Sequence, residues 1–183
     1  IFKLLTSLRL TGAVSSSVKD PLWKYKWVQA HEPENFRRVW KWLDVKEYLI
    51  LRCTGQAVMT RDSAFSTFLY DTRRDKCCWR EKLCSMFGVD IAHMPRLAEA
   101  TEQVGLLSPE AASELGLAPG TPVFGGGGDA ALIGVGAGAT ALGSTHIYCG
   151  TSGWVSTVCD RQLVDVTAMI AAIVGAQSGR YNY

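Results

Sequence analysis

TPVFGGGGDAALIGVGAGA, residues Thr121–Ala139, decides the architecture of this chain. Thr121–Phe124 has the composition of a short buried strand. Four consecutive glycines, Gly125–Gly128, follow it, and Asp129 then heads Ala130–Ala137, a helix of small residues. Glycines at the end of a buried strand clear side chains from the path of an approaching molecule. An acid at that strand's mouth, entering a helix, stands where open α/β sheets hold their ligands. If the ligand is an alcohol, Asp129 can accept its proton while the oxygen attacks an electrophile. A plain helix cap is the competing role for Asp129, and the two are compatible.

A short way downstream, Gly143–Cys149 and Trp154–Val158 read as two strands joined by the turn Gly150, Thr151, Ser152 and Gly153. Such a turn exposes backbone N–H groups and two hydroxyls, and glycines at positive φ would shape it into a nest for phosphate oxygens. An ordinary hairpin turn has the same composition. Gly134, Gly136 and Gly138 form a GxGxG after the acid and inside the expected helix. Close helix packing explains that spacing better than a dinucleotide fingerprint does.

Before residue 121 the pattern is mostly helical. Asp20-Pro21 is a helix start with a side-chain cap and proline at the first position. Leu22, Trp23 and Trp27 then form an apolar stripe, expected to be core. Pro33 begins a second helix in which Phe36, Val39, Trp40 and Leu43 recur at helical spacing. Asp44 caps a third, carrying Val45, Tyr48 and Leu49, with Gly55 as its left-handed stop. Val58–Thr72 is mixed, a helix covers Trp79–Phe87 up to Gly88, and Ser108 caps another before the Pro119-Gly120 turn. Met169–Val174 reads as a buried strand or helix turn. Helices alternating with strands indicate an α/β class, with a boundary near Ala139–Gly143.

Composition narrows the partners. Hydrophobic residues at 48% and charged residues at 20% describe an ordinary folded chain and argue against disorder. A formal charge of +2, with basic and acidic residues interspersed, does not make a nucleic-acid surface. No apolar run reaches the length of a membrane span, so neither nucleic acid nor membrane is expected as a partner. The six cysteines form no CxxC and no zinc spacing, and they read as small apolar fillers in a reducing, cytoplasmic setting. The chain opens without methionine at Ile1 and stops at Tyr183 without a closing element, as expected of an interior fragment.

The Thr121–Ala139 run followed by THIYCGTSGWV (Thr145–Val155) resembles the junction of the two domains in FGGY carbohydrate kinases. Lys19–Phe36, Lys41–Gly55, Thr60–Arg73 and Thr101–Val123 resemble that family's first domain in the family's order, and xylulose kinases most of all. The resemblance implies a ribonuclease H-like (actin-like ATPase) fold. Residues 1–140 would be the later part of the sugar-binding domain, and 141–183 the truncated start of the ATP-binding domain. It further implies ATP with Mg²⁺, and a small sugar, D-xylulose first, with other ketoses, polyols or gluconate behind it. Asp129 matches the catalytic aspartate and, with Gly128, faces the sugar. Gly150, Thr151, Ser152 and Gly153 match the turn around the transferring phosphoryl group. Asp62 matches an acidic position of the family motif, as a structural cap or a residue near the cleft. Ala130 departs from relatives that carry a polar residue there, which puts the sugar in question. The first phosphate motif and the adenosine motif are absent, so the chain alone is expected to lack kinase activity. A homodimer is a possible assembly. The alternatives are an actin- or chaperone-like nucleotide switch and a relative that binds sugar without turnover.

Overall fold

The computed structural model describes residues 2–168 and 170–183; Ile1, where the chain opens, and Met169, the first residue of the Met169–Val174 segment, lie outside them. The helix α1 (Phe2–Thr11) leads into α2 (Pro21–His31). Asp20 stands at the N-cap of α2, but its carboxylate accepts from Ser15 Oγ (2.6 Å) and the Ser17 N–H (3.2 Å), not from the helix. The expected side-chain cap is therefore a fastening of the polar loop. The tryptophan stripe is also reassigned, since Trp23 and Trp27 are 40% and 53% exposed while Leu22 and Tyr25 are buried. Phe36 and Trp42 meet the Tyr25 ring edge-on at 5.1 and 5.2 Å. Its hydroxyl accepts from the Asp90 N–H and shares a 2.8 Å bond with His93 Nδ1. An aromatic with a polar tip suits this site because the tip finds partners that an indole facing the same way would miss.

The second expected helix is only α3 (Pro33–Phe36). Beyond it the backbone serves tertiary contacts: the Trp42 N–H donates to His93 O, and Lys41 Nζ donates to Ala92 O and Met94 O. Those long-range bonds override a short apolar period. Helix α4 (Val45–Thr54) begins and ends as read, with Asp44 accepting from the Val45 N–H and Gly55 at φ 71°. Its faces are reversed, however. Val45, Tyr48 and Leu49 point outward, and the buried residues are Glu47 and Ile50.

Strand β1 (Val58–Thr60) runs directly into α5 (Arg61–Phe65), and β2 (Tyr70–Asp71) pairs antiparallel with β3 (Cys78–Trp79). That pairing takes Trp79 out of the following helix, α6 (Glu81–Phe87), which stops at Gly88 (φ 66°). A 3₁₀ turn (Ile91–His93) leads to β4 (Arg96–Ala98), parallel to β1. Strand β5 (Gln103–Leu106), helix α7 (Pro109–Leu115) and β6 (Pro122–Phe124) follow. Ser108 Oγ caps α7 by accepting from the Ala111 N–H. The β6 strand was expected to be buried but lies half open, with Phe124 55% exposed, because among the described residues it pairs only with β5.

After α8 (Asp129–Gly136), β7 (Thr145–Cys149) and β8 (Gly153–Cys159) form the expected hairpin. Short strands β9 (Val164–Asp165) and β10 (Ile170–Ala171) pair with each other. Strands β11 (Ile173–Val174) and β12 (Tyr181–Asn182) complete an antiparallel sheet of order β11-β12-β8-β7. The first core gathers Leu10, Leu22, Tyr25, Leu83 and Met94; the second joins Met59, Ala64 and Tyr70 to Ala172, Val174 and Tyr181. Residues over a hundred positions apart thus share one core, and the Tyr181 hydroxyl donates to Thr72 O at 2.7 Å. Among the described residues no helix is long and apolar enough to cross a membrane.

Burial pushes the Cys84 thiol up to about 11, and it raises the Tyr25, Tyr70 and Tyr181 hydroxyls above their ordinary value. In the unfolded chain such thiols and phenols lose their protons near about 8.5 and 10. The folded state then holds protons that the unfolded state has released. Stability from this source is complete below those values and is lost as pH rises toward the folded ones. The urea midpoint of the chain is expected to fall between pH 8 and pH 10; an unchanged midpoint would contradict the burial of these groups.

Candidate active-site cleft

The glycine run owes its path to crowding. A Cβ on Gly125 would lie 2.6 Å from Glu99 O and 2.8 Å from Thr60 Cγ2, so only glycine lets β6 pass the ends of β1 and β4 this closely. Gly126 then turns at φ 63°, its N–H donating to Ala100 O. A Cβ on Gly127 would press on Leu132 at 3.0 Å and on the Asp62 carboxylate at 3.2 Å.

Two charged side chains hold the ends of the run. The Gly128 N–H donates to Asp62 Oδ2 at 2.6 Å. At the other end Lys46 Nζ donates to Gly125 O (3.1 Å) and Thr60 Oγ1 (2.9 Å). Of the two roles read for Asp62, the place near the cleft is borne out: it lies in the first turn of α5 and lines the cleft, and its carboxylate, rather than capping its own helix, ties α5 to the loop before α8. Lys46 Nζ also stands 2.7 Å from Oε1 of Glu47, whose side chain is fully buried. The contact is an ion pair without hydrogen-bond direction, since neither Glu47 oxygen has a directed donor among the described residues. Sequence reading passed over Lys46 and Glu47. The signal was the reversed period of α4, with charges where its apolar face should be.

Asp129 is the first residue of α8, Gly128 being its N-cap. The Asp129 carboxylate does not reach into the helix turn. Oδ1 accepts from the adjacent Ala130 N–H at 2.8 Å, and Oδ2 has no protein partner among the described residues. Asp129 is exposed at the edge of a cleft of about 770 Å³. That volume suits one small molecule. Asp20, Asp44 and Asp62 line the same cleft with Lys46, Ser63 and Ser66, together with the apolar side chains of Phe65, Phe68 and Ile173. Such a lining offers carboxylates and hydroxyls for hydrogen bonds, with apolar surface among them.

The turn Gly150–Gly153 sits at the tip of the β7–β8 hairpin and does not line this cleft. Its expected nest is not formed. Neither Gly150 nor Gly153 has positive φ, and the Gly150 N–H is taken by Ser152 O at 2.9 Å. A Cβ on Gly150 would instead meet the Tyr148 hydroxyl, so a side chain there would require the Tyr148 ring to shift. The Thr151 and Ser152 side chains stay exposed. The hairpin is joined to α8 through His146, whose ring lies where a Cβ on Gly134 would be, 2.8 Å from Cε1. Close packing thus explains Gly134. Gly136 has open space around it and Gly138 (φ 80°) lies past the helix end, so the GxGxG is not one packing motif. Among the described residues no group of three His, Cys, Asp or Glu could hold a metal ion.

The cleft thus lies where the glycine run leaves β6 in an α/β chain. The profile described as the FGGY family of carbohydrate kinases, N-terminal domain, matches residues 6–136. The chain belongs to that family, and its fold is the ribonuclease H-like, actin-like one. It is 39% identical over 131 residues to a xylulose kinase of Escherichia coli, covering 71% of this chain and 26% of that protein. Over 132 residues it is 36% identical to a xylulose kinase of Bacillus subtilis, with the same two shares. It superposes on xylulose kinase from Rhodospirillum rubrum with a TM-score of 0.87, at 22% identity, covering 98% of this chain and 36% of that one. The chain therefore spans about a quarter of the length of the curated relatives it matches.

Replacing Lys46 by Met would leave Glu47 buried and unpaired, at a cost of about 3–5 kcal/mol. Lys46→Met with Glu47→Leu is expected to recover most of that loss, as read by urea unfolding of the two variants beside the unaltered chain. A double variant no more stable than Lys46→Met would show that the pair is not coupled.

Proposed function

We propose that this chain supplies the sugar-facing wall and the general base of an ATP-dependent sugar kinase. In this reading residues 1–140 are the C-terminal part of the sugar-binding domain. Residues 141–183 begin the ATP-binding domain. The observation that carries the proposal is Asp129 at the cleft edge, with Oδ1 steadied by the Ala130 N–H and Oδ2 free to accept a proton.

The sugar hydroxyl gives its proton to Asp129 as its oxygen bonds to the γ-phosphorus of ATP. The bond from that phosphorus to the β-phosphate oxygen breaks, and ADP leaves. A positioned base of this kind contributes about 10²–10⁴-fold. Gly128 offers no side chain, so the sugar can approach the backbone beside the acid. Lys46 and Asp62 keep the acid in place by holding the two ends of its loop. Thr151 and Ser152, exposed on the hairpin tip between Gly150 and Gly153, would reach the phosphates when the second domain closes on the cleft. Closure also excludes water, which would otherwise compete as acceptor.

The described residues do not form a resident metal cage. Mg²⁺ would instead arrive on the nucleotide, and the cleft carboxylates Asp62 or Asp129 would be the protein groups to help hold it. Bound there, the ion offsets phosphate charge; positioning and proton acceptance fall to the protein. D-xylulose is the proposed acceptor, on the strength of the xylulose kinases among the relatives and a cleft sized for one small polyol.

In the intact kinase, Asp129→Asn is expected to lower kcat about 10²–10⁴-fold with little change in KM for the sugar. An ADP-release assay across pentuloses, hexuloses, polyols and gluconate reads both this loss and the preferred acceptor. An unchanged rate would remove Asp129 from the base role. The 183-residue chain alone is expected to give no steady turnover in the same assay.

A further inference from the structure

A second cavity, of about 310 Å³, lies between the α5 N-terminus, the β2–β3 connection and the turn joining β11 to β12. Arg61, Arg74 and Arg180 all line it, with Tyr70, Tyr181 and Ser178. Glu99 is the one acid among its lining residues. Glu99 is already committed, its Oε1 taking Arg61 Nη1 at 2.7 Å and the Ser178 hydroxyl at 3.3 Å. Arg74 and Arg180 form no ion pair among the described residues. Arg61 Nε is buried, with no acceptor among the described residues. Two positive charges are thus left over in a small cavity.

Like charges gathered this way repel one another. That repulsion is offset if a compact dianion enters. Guanidinium groups present forked donors that match tetrahedral oxyanions, and several around one ion share its charge. The tyrosines leave an apolar margin, since the Tyr181 hydroxyl is spent on Thr72 O. We propose that this cavity binds the phosphate group of a small molecule, as free orthophosphate or as a phosphate monoester.

The site is distinct from the cleft, although Val174 lines both. The cleft is lined with acids; this cavity is lined with arginines. Adjacent residues of α5 serve the two, with Arg61 turned to the cavity and Asp62 to the glycine run. Residues from the middle of the chain (61–99) and from its C-terminal part (174–181) build it, so an anion here also ties the β11–β12 turn to α5.

The test is thermal unfolding of the 183-residue chain while inorganic phosphate replaces chloride at constant ionic strength, with calorimetric titration for affinity. A saturable rise in Tm is expected. The double variant Arg74→Gln with Arg180→Gln should bind at least tenfold more weakly. Both side chains are at least partly solvent-exposed, so its circular dichroism should match that of the unaltered chain. Arg74→Lys with Arg180→Lys should retain intermediate binding, which a loss caused by misfolding alone would not produce. Glycerol 3-phosphate, titrated in parallel, separates the two sources: tighter binding than orthophosphate marks the monoester, weaker binding marks the free ion. The absence of a saturable rise overturns the proposal. So does a rise that survives the double glutamine variant but disappears in Thr151→Ala with Ser152→Ala, since the ion would then sit on the hairpin turn.

Discussion

The 2.6 Å bond from the Gly128 N–H to Asp62, matched by Lys46 Nζ on the Gly125 carbonyl, holds a segment that cannot hold itself. Four glycines in sequence have no side chains to bury. Ordering each residue's backbone costs about 1–2 kcal/mol, with glycine at the high end. Their order therefore has to come from outside the segment, through charged groups on α4 and α5. The position of Asp129, the start of α8 and the edge of the cleft all follow from that fastening. Crowding supplies the rest, because β6 passes Thr60 and Glu99 too closely for any side chain at Gly125.

The fastening places a charge pair where a helix would ordinarily bury aliphatic carbon. Glu47 is wholly enclosed and Lys46 partly so. A buried ion pair adds little net stability over an apolar pair of similar volume. Its use here is directional. An ammonium can reach a carbonyl, a hydroxyl and a carboxylate together, and so fixes α4 relative to β1 and the glycine run. Exposure of Val45, Tyr48 and Leu49 on the opposite face follows from turning α4 to deliver Lys46 inward.

The later part of the chain adds two contacts of different kinds. His146 packs into the space that Gly134 leaves on α8, linking the hairpin to the helix that carries Asp129. Tyr181, Val174 and Ala172 close the core over Met59, Ala64 and Tyr70. The helix bearing the acid and the hairpin bearing Thr151 and Ser152 are thereby joined through packed side chains, although the turn itself stands away from the cleft.

Local chemistry determined much of this from the sequence. Asp44 and Gly55 bound α4, Ser108 caps α7, Gly88 ends α6, and the Gly150–Gly153 turn joins two strands, because each depends on residues within a few positions of one another. The order of motifs likewise placed the chain in its family, and the run ending in Asp129 marked the cleft. What only the tertiary structure decided depends on partners distant in the chain. Nothing near Asp62 in sequence indicates that it accepts from Gly128, sixty-six positions later. Trp23 and Trp27 were read as core, yet hydrophobicity alone does not say which side of α2 meets Phe36 and Trp42. The helix expected through Leu43 gave way to bonds with residues 92–94, and β6 proved half open because strand burial depends on how many neighbours a strand acquires. Period and capping are written within one turn of chain; the direction of a buried charge is settled only when the pieces meet.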